Sequence, residues 1–280
     1  MSSVSKPRVR HNRHKQGLNL TLEKLSADFR INAKFNSLFL DCIDLTSAPD
    51  LPSMTLSDEC YRFMFWNCTS LTSAPELPAT KMAKLCYQFM FNECSNLLSA
   101  PELPATALAE GCYSSMFGGC SKLETAPALP VTTLAESCYS SMFSECTSLK
   151  NAPALPATTL AEYCYAAMFE GCTSLKSAPA LSATELAESC YYAMFYGCTS
   201  LVNAPALPAT ELAESCYRYM FSGCTKLNSV TMLATDISAT NCLDNWLNDV
   251  ASSGVITRNP TTELPDGSSG KPSGWKYADE

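Results

Sequence analysis

The feature that most constrains this chain is a period of 26 residues. Pro49, Pro75, Pro101, Pro127, Pro153, Pro179 and Pro205 keep that spacing, and so do Cys60, Cys86, Cys112, Cys138, Cys164, Cys190, Cys216 and Cys242. A second column runs Cys42, Cys68, Cys94, Cys120, Cys146, Cys172, Cys198 and Cys224, so two columns hold all 16 cysteines. A unit this short cannot bury its own apolar face. Neighbouring units must stack to bury it, and the product is a solenoid that grows in one dimension.

Residues 127–152, PALPVTTLAESCYSSMFSECTSLKNA, serve as the type unit. Leu134, Ala135, Cys138, Tyr139, Met142 and Phe143 recur at a spacing that predicts one apolar helical stripe. Thr132 and its equivalents stand where a helix N-cap belongs, with Thr133 and Glu136 as an alternative capping box. The helix is expected to end near Phe143, where Gly follows in several units (Gly118, Gly171, Gly197, Gly223). Cys146, Leu149, Ala152 and Leu155 then step inward every third residue, as a curved segment with a short strand would. Leu155-Pro156 turns the chain toward the next unit, because proline cannot extend a central ladder. The expected architecture is an α/β repeat solenoid, leucine-rich-repeat-like, with one helix and one short strand per unit and a cap at each end. Residues 1–34 read as a basic leader and N-terminal cap, 35–240 as the solenoid, and 241–280 as a capping helix built on Ile237, Leu243, Trp246, Leu247 and Val250, followed by an extended tail.

Charge is unevenly divided. The net charge is -8, yet residues 1–16 carry Lys6, Arg8, Arg10, Arg13 and Lys15 with no acid, which leaves -13 on the rest. An acidic body argues against nucleic acid as the main partner. No apolar run reaches the ~18–20 residues of a membrane helix. The basic start is not followed by the apolar stretch of a secretory signal.

Few side chains invite chemistry. The cysteines admit three readings: a disulfide framework, metal sites, or small buried hydrophobes stacked on their equivalents. C-x7-C without a neighbouring His does not match zinc spacing, and disulfides need an oxidising compartment. The buried ladder fits best, because a tight turn admits only a small, nearly apolar side chain. The two histidines, His11 and His14, both lie in the leader. The repeat body therefore cannot build a Ser-His or Cys-His nucleophile pair. Glu110, Glu136, Glu162, Glu188 and Glu214 occupy equivalent positions, and a solvated capping row suits them better than acid–base work, which needs carboxylates in unlike settings. Calcium along this row is the alternative. The Tyr column (Tyr61 to Tyr217) and the Met-Phe pairs keep their identity and read as core. No catalytic residue, metal ligand or cofactor is expected.

Other columns vary from unit to unit, which marks them as exposed. One reads Leu40, Trp66, Asn92, Gly118, Ser144, Glu170, Tyr196 and Ser222. Its neighbours hold Arg62, Gln88, Tyr192 and Arg218, then Phe63, Phe89 and Tyr219. Aromatics and arginine on a surface are the residue types that dominate binding energy. Arg62, Phe63, Trp66, Phe89, Tyr192, Tyr196, Arg218 and Tyr219 are therefore the candidate ligand-binding set.

The segment CYSSMFSECTSLKNAPALPATTLAEYCYAAMFEGCTSL resembles the BspA-like leucine-rich repeats of bacterial surface proteins, with Phe169, Gly171-Cys172, Ser174-Leu175 and Pro179 as the matching elements. The likeness covers about residues 35–240. The closing stretch, ATDISATNCLDNWLNDVASSGVITRNP and KPSGWKYADE, is similar to the terminal cap of such proteins in gut Bacteroidales, and similar chains occur in phages of those bacteria. The resemblance implies a leucine-rich-repeat fold and an adhesion or recognition role toward a protein or glycan at a cell surface. The alternative it implies is a structural or host-attachment component of a phage particle, with the basic leader docking to a larger assembly.

Overall fold

A computed structural model describes residues 35–278. The leader and N-terminal cap expected over residues 1–34, His11 and His14 among them, lie outside the described residues.

The period of 26 is the register of most of the body. Residues stack on their equivalents one unit away, through parallel bridges such as Ser73↔Ser99, Thr125↔Asn151 and Ser177↔Asn203, and the register slips by one residue at Ala206↔Thr231 and Glu211↔Asp236. At the C-terminal end the same strip widens into a four-stranded parallel sheet: β1 (Asn203–Leu207), β2 (Ser229–Met232), β3 (Gly254–Arg258) and β4 (Trp275–Tyr277). A second strip of bridges joins Lys81↔Ala107, Thr133↔Thr159 and Glu211↔Asp236.

The segment expected to be helical is different. Among the described residues there is no helix. Residues 57–68 and their equivalents instead form a ribbon of overlapping turns. The N–H groups of Cys60, Arg62, Met64, Trp66 and Cys68 each donate to the carbonyl three residues back, at 3.1–3.3 Å. The alternate N–H groups, of Glu59, Tyr61, Phe63, Phe65 and Asn67, donate to Lys84, Cys86, Gln88, Met90 and Asn92 of the next unit, at 2.8–3.0 Å. Half of the ribbon's donors thus hold a level together and half hold it to its neighbour. A helix would spend all of them internally and leave nothing for stacking. The expected N-cap at Thr132 and capping box at Thr133 and Glu136 fall away with the helix. The Thr132 carbonyl instead accepts the N–H of Thr158, at 3.3 Å.

The ribbon requires a left-handed residue at every fourth position. Glu59, Phe63 and Asn67 have φ of 57–58°, and 21 non-glycine residues among those described lie between 51° and 61°. They occupy the third position of a turn, where a type II turn demands positive φ. Each costs about 1–2 kcal/mol for an L-residue, a cost offset by the doubly bonded ribbon and the core beneath it. The glycines read as helix ends, Gly171, Gly197 and Gly223, are the last left-handed residue of their levels, at φ 68–77°.

Turns that repeat every four residues give two residues in and two out. Cys60-Tyr61, Met64-Phe65 and Cys68 are buried, whereas Arg62-Phe63 and Trp66-Asn67 face out. Inside, Phe39, Phe65, Phe91, Phe117, Phe143, Phe169, Phe195 and Phe221 form one column of parallel rings with centroids 5.4–5.8 Å apart. Tyr61 to Tyr217 form a second, at 5.8–6.0 Å. Offset parallel stacking of this kind adds to the area each ring buries.

All 16 cysteines are free thiols. The second column is more than a set of small hydrophobes. Seven of its thiols, from Cys68 to Cys224, donate to the carbonyl of the Phe one level back, at 3.0–3.2 Å. Burial pushes the thiols up, Cys60 to about 11 and Cys94 to about 12, so they stay protonated and unreactive at neutral pH.

Residues 241–250 form a further level of turns where a capping helix was expected. Trp246 takes the Met position of that level and is fully buried. The open donors of this last level meet the loop beyond β3. Leu247 N–H donates to the Ser268 carbonyl at 3.1 Å, Asn245 N–H to Ser269 Oγ at 2.9 Å, and Trp246 Nε1–H to the Gly270 carbonyl at 3.1 Å. Gly270 fits because any Cβ there would lie 1.8 Å from the Pro265 carbonyl oxygen.

Candidate ligand-binding face

The outward pairs of the turn ribbon align along the solenoid and form one continuous face. Its columns carry positions 58 and 59, 62 and 63, and 66 and 67, with their equivalents at 26-residue intervals. Five of these columns vary in the sequence, while the first keeps Glu from Glu110 to Glu214 and the inward pairs hardly change.

The ribbon gathers four of the candidate residues near its N-terminal end. Phe63 and Phe89, one level apart, lie parallel with centroids 5.0 Å apart, and Trp66 stacks beside them at 5.2 Å from Phe63 and 6.0 Å from Phe89. The Arg62 guanidinium sits 4.7 Å from the Phe63 ring centre, and its Nη1 pairs with Glu59 at 3.3 Å. Trp66 remains 36% exposed. Toward the other end, Tyr192 and Tyr219 meet edge to face at 5.9 Å, with Arg218 5.1 Å over Tyr219 and 3.0 Å from Asp244. Tyr196, 43% exposed, belongs to the same stretch but makes no ring contact among the described residues. The eight candidates thus form two separate clusters rather than one site.

Between the clusters the face is mostly low and made of small residues, broken by Tyr163, which is 39% exposed. Gly111, Ser114, Ser115 and Gly118 are buried although they occupy outward columns. Side chains of the preceding level lean over them. A Cβ on Gly118 would lie 2.4 Å from Asn92 Nδ2, which donates to the Ser115 carbonyl at 3.2 Å. The Leu85 side chain covers Gly111, and the Glu93 carboxylate covers Gly119. The same happens two levels on, where the Glu145 carboxylate fills the place of a Cβ on Gly171. Burial, and then the nearby Glu145, push the Glu170 carboxyl up. These contacts were hidden in the sequence because each depends on a neighbour 26 residues away. The signal for three of them was present all the same: Gly118, Gly119 and Gly171 fall one level after Asn92, Glu93 and Glu145 in the same column.

Glu110, Glu136, Glu162, Glu188 and Glu214 edge this face. With no helix beneath them they have no macrodipole to cap. Their backbone carbonyls accept the N–H groups of Leu85, Gly111, Ser137, Tyr163 and Ser189 of the preceding levels. Among the described residues only Glu110 of this row has an ion-pair partner, Lys84 Nζ at 2.7 Å. Among the described residues no three His, Cys, Asp or Glu side chains converge as a metal site. No helix there is long and apolar enough to cross a membrane.

Comparison with curated proteins and with solved structures gives no match. A family profile does match. Residues 35–150 and 136–248 fit the BspA-type leucine-rich repeat region, in 6 copies. That span takes in the turn ribbon, both aromatic clusters and the thiol columns, and the chain is a member of the BspA-type leucine-rich repeat family.

Proposed function

We propose that this chain is a non-enzymatic recognition scaffold that binds a protein or glycan through the outer face of its turn ribbon, in an adhesion role. Family membership supports a repeat scaffold for binding. The observation that carries the assignment to this face is the contrast along it. Inward columns repeat Cys, Tyr, Met and Phe through every level from Cys60 to Cys224, whereas Trp66, Phe63 and Phe89 at one end, and Tyr192, Tyr196 and Tyr219 at the other, stand where the middle levels carry mostly Ser, Ala and Gly. Folding does not require these rings, since the middle levels keep the same ribbon without them. Partly exposed aromatics beside arginine are the surface type that binding uses most.

The test is to screen the purified chain against protein and glycan arrays and to take the ligand found to Trp66→Ala and Tyr196→Ala. Loss of about 2 kcal/mol of binding or more, some 30-fold in Kd, is expected from a central anchor. Unchanged affinity in the double variant, with an unchanged melting curve, refutes the assignment of the face.

A further inference from the structure

The turn face concentrates the charge of the body. Its six columns, between Asp41 and Asp249, hold 13 acids and three bases, a net charge of -10 out of the -13 on residues 35–249. All three bases are already engaged: Arg62 with Glu59, Lys84 with Glu110 and Arg218 with Asp244. Glu136, Glu162, Glu188 and Glu214 have no ion-pair partner among the described residues. They follow one another at the spacing of stacked strands, about 4.8 Å, close enough for like charges to repel. Trp66, three levels before Glu136 on the same face, keeps an exposed ring in a cluster where Phe63 already carries a guanidinium.

The chain itself contains the complementary charge. Residues 1–16 hold five bases and no acid. They join the body through Phe35, whose N–H donates to the Cys60 carbonyl at 2.7 Å, so the chain enters at the first level of this same ribbon. Nine levels at about 4.8 Å extend some 40 Å. An extended chain covers that distance in about 12 residues at ~3.3 Å each, well within the 34 that precede Phe35.

We infer that the basic segment 1–16 docks in cis on the acidic turn face, against Glu136, Glu162, Glu188 and Glu214, with its arginines available to the rings around Trp66. The docked segment neutralises half of the face's charge. It covers the middle strip between the two aromatic clusters and reaches the first of them, so an external ligand that uses the strip must displace it. This goes beyond the recognition role proposed above and does not depend on the identity of a ligand.

Zero-length carbodiimide cross-linking of the full chain tests it, read by mass spectrometry on the monomer fraction. Lys6 and Lys15 should join to Glu136, Glu162, Glu188 or Glu214. Yields should fall at least tenfold in 1 M salt, where screening acts within about 3 Å. They should fall equally in a variant with these four glutamates changed to Gln, whose melting curve should match that of the parent. A mixture of isotope-labelled and unlabelled chains should give links within one chain only. Links confined to acids outside the turn face, links between chains, or yields indifferent to the four substitutions would each overturn the inference. A ligand that still binds through Trp66 and Tyr196 after such a failure would leave the recognition role intact.

Discussion

Cys146→Ala removes a sulfur from the middle of the thiol column. The side chain is fully buried, and its Sγ donates to the Phe117 carbonyl one level back at 3.1 Å. That carbonyl also accepts the Cys120 N–H at 3.1 Å, so it is not orphaned by the substitution. The loss is therefore smaller than that of a buried polar group left unpaired. A sulfur contributes about as much apolar burial as a methylene, ~0.8 kcal/mol. The small void left between two levels adds several tenths, and the weak thiol bond contributes another ~0.5 kcal/mol. Together these predict a destabilisation of about 1.5–2 kcal/mol, read as a lower urea midpoint at constant m-value. The S–H stretching band in a Raman spectrum provides the second measurement. A hydrogen-bonded thiol vibrates below the free-thiol frequency, and seven of the 16 thiols should give a component there. A loss under about 0.5 kcal/mol in C146A, or a spectrum with no component below the free-thiol position, would refute the thiol ladder as a set of inter-level bonds.

Other consequences are open to measurement. Phe143→Ala, which breaks two ring stacks at 5.8 Å, should cost about 3–5 kcal/mol and unfold the levels around it first, detectable by hydrogen exchange. Gly118→Ala should displace Asn92 and lose its bond to Ser115, about 1 kcal/mol, and in an Asn92→Ala background the same change should cost less, as a double-mutant cycle would show. The thiols predict a specific pH response. Their folded values lie above the ordinary value of 9.0, with Cys60 at about 11 and Cys94 at about 12. Above pH 9 the unfolded chain therefore binds fewer protons than the folded one. Stability should be full below pH 9 and fall as pH rises through 11 to 12, seen as a sinking melting temperature. In the native protein at pH 8 a thiol reagent should titrate few of the 16 cysteines, and all of them after denaturation.

The 26-residue register, the two cysteine columns and the division into invariant and variable positions could all be read from the sequence, because stacking forces equivalent residues into equivalent places. The identity of the core followed for the same reason: Tyr139, Met142, Phe143, Cys146, Leu149 and Leu155 are all buried. What misled was the period. The pairs Leu134-Ala135, Cys138-Tyr139 and Met142-Phe143, followed by Cys146, repeat every four residues. A helix advances 3.6 residues per turn, so its stripe would have drifted by about 120° over those twelve residues. A strict period of four belongs to a ribbon of alternating turns, and the residues at its left-handed positions, Ser137, Ser141 and Glu145 among them, carry no glycine signal to announce it.

The candidate face was likewise half legible. Variation along the columns identified Arg62, Phe63, Trp66, Phe89, Tyr192, Tyr196, Arg218 and Tyr219 as outward residues. Only the tertiary structure decided that they divide into two clusters, and that Asn92, Glu93 and Glu145 fold over the glycines of the next level. Sequence determines which residues share a column, since that needs only the repeat length. How a side chain leans across to the next level depends on which neighbour leaves room for it, and only the stacked chain supplies that neighbour.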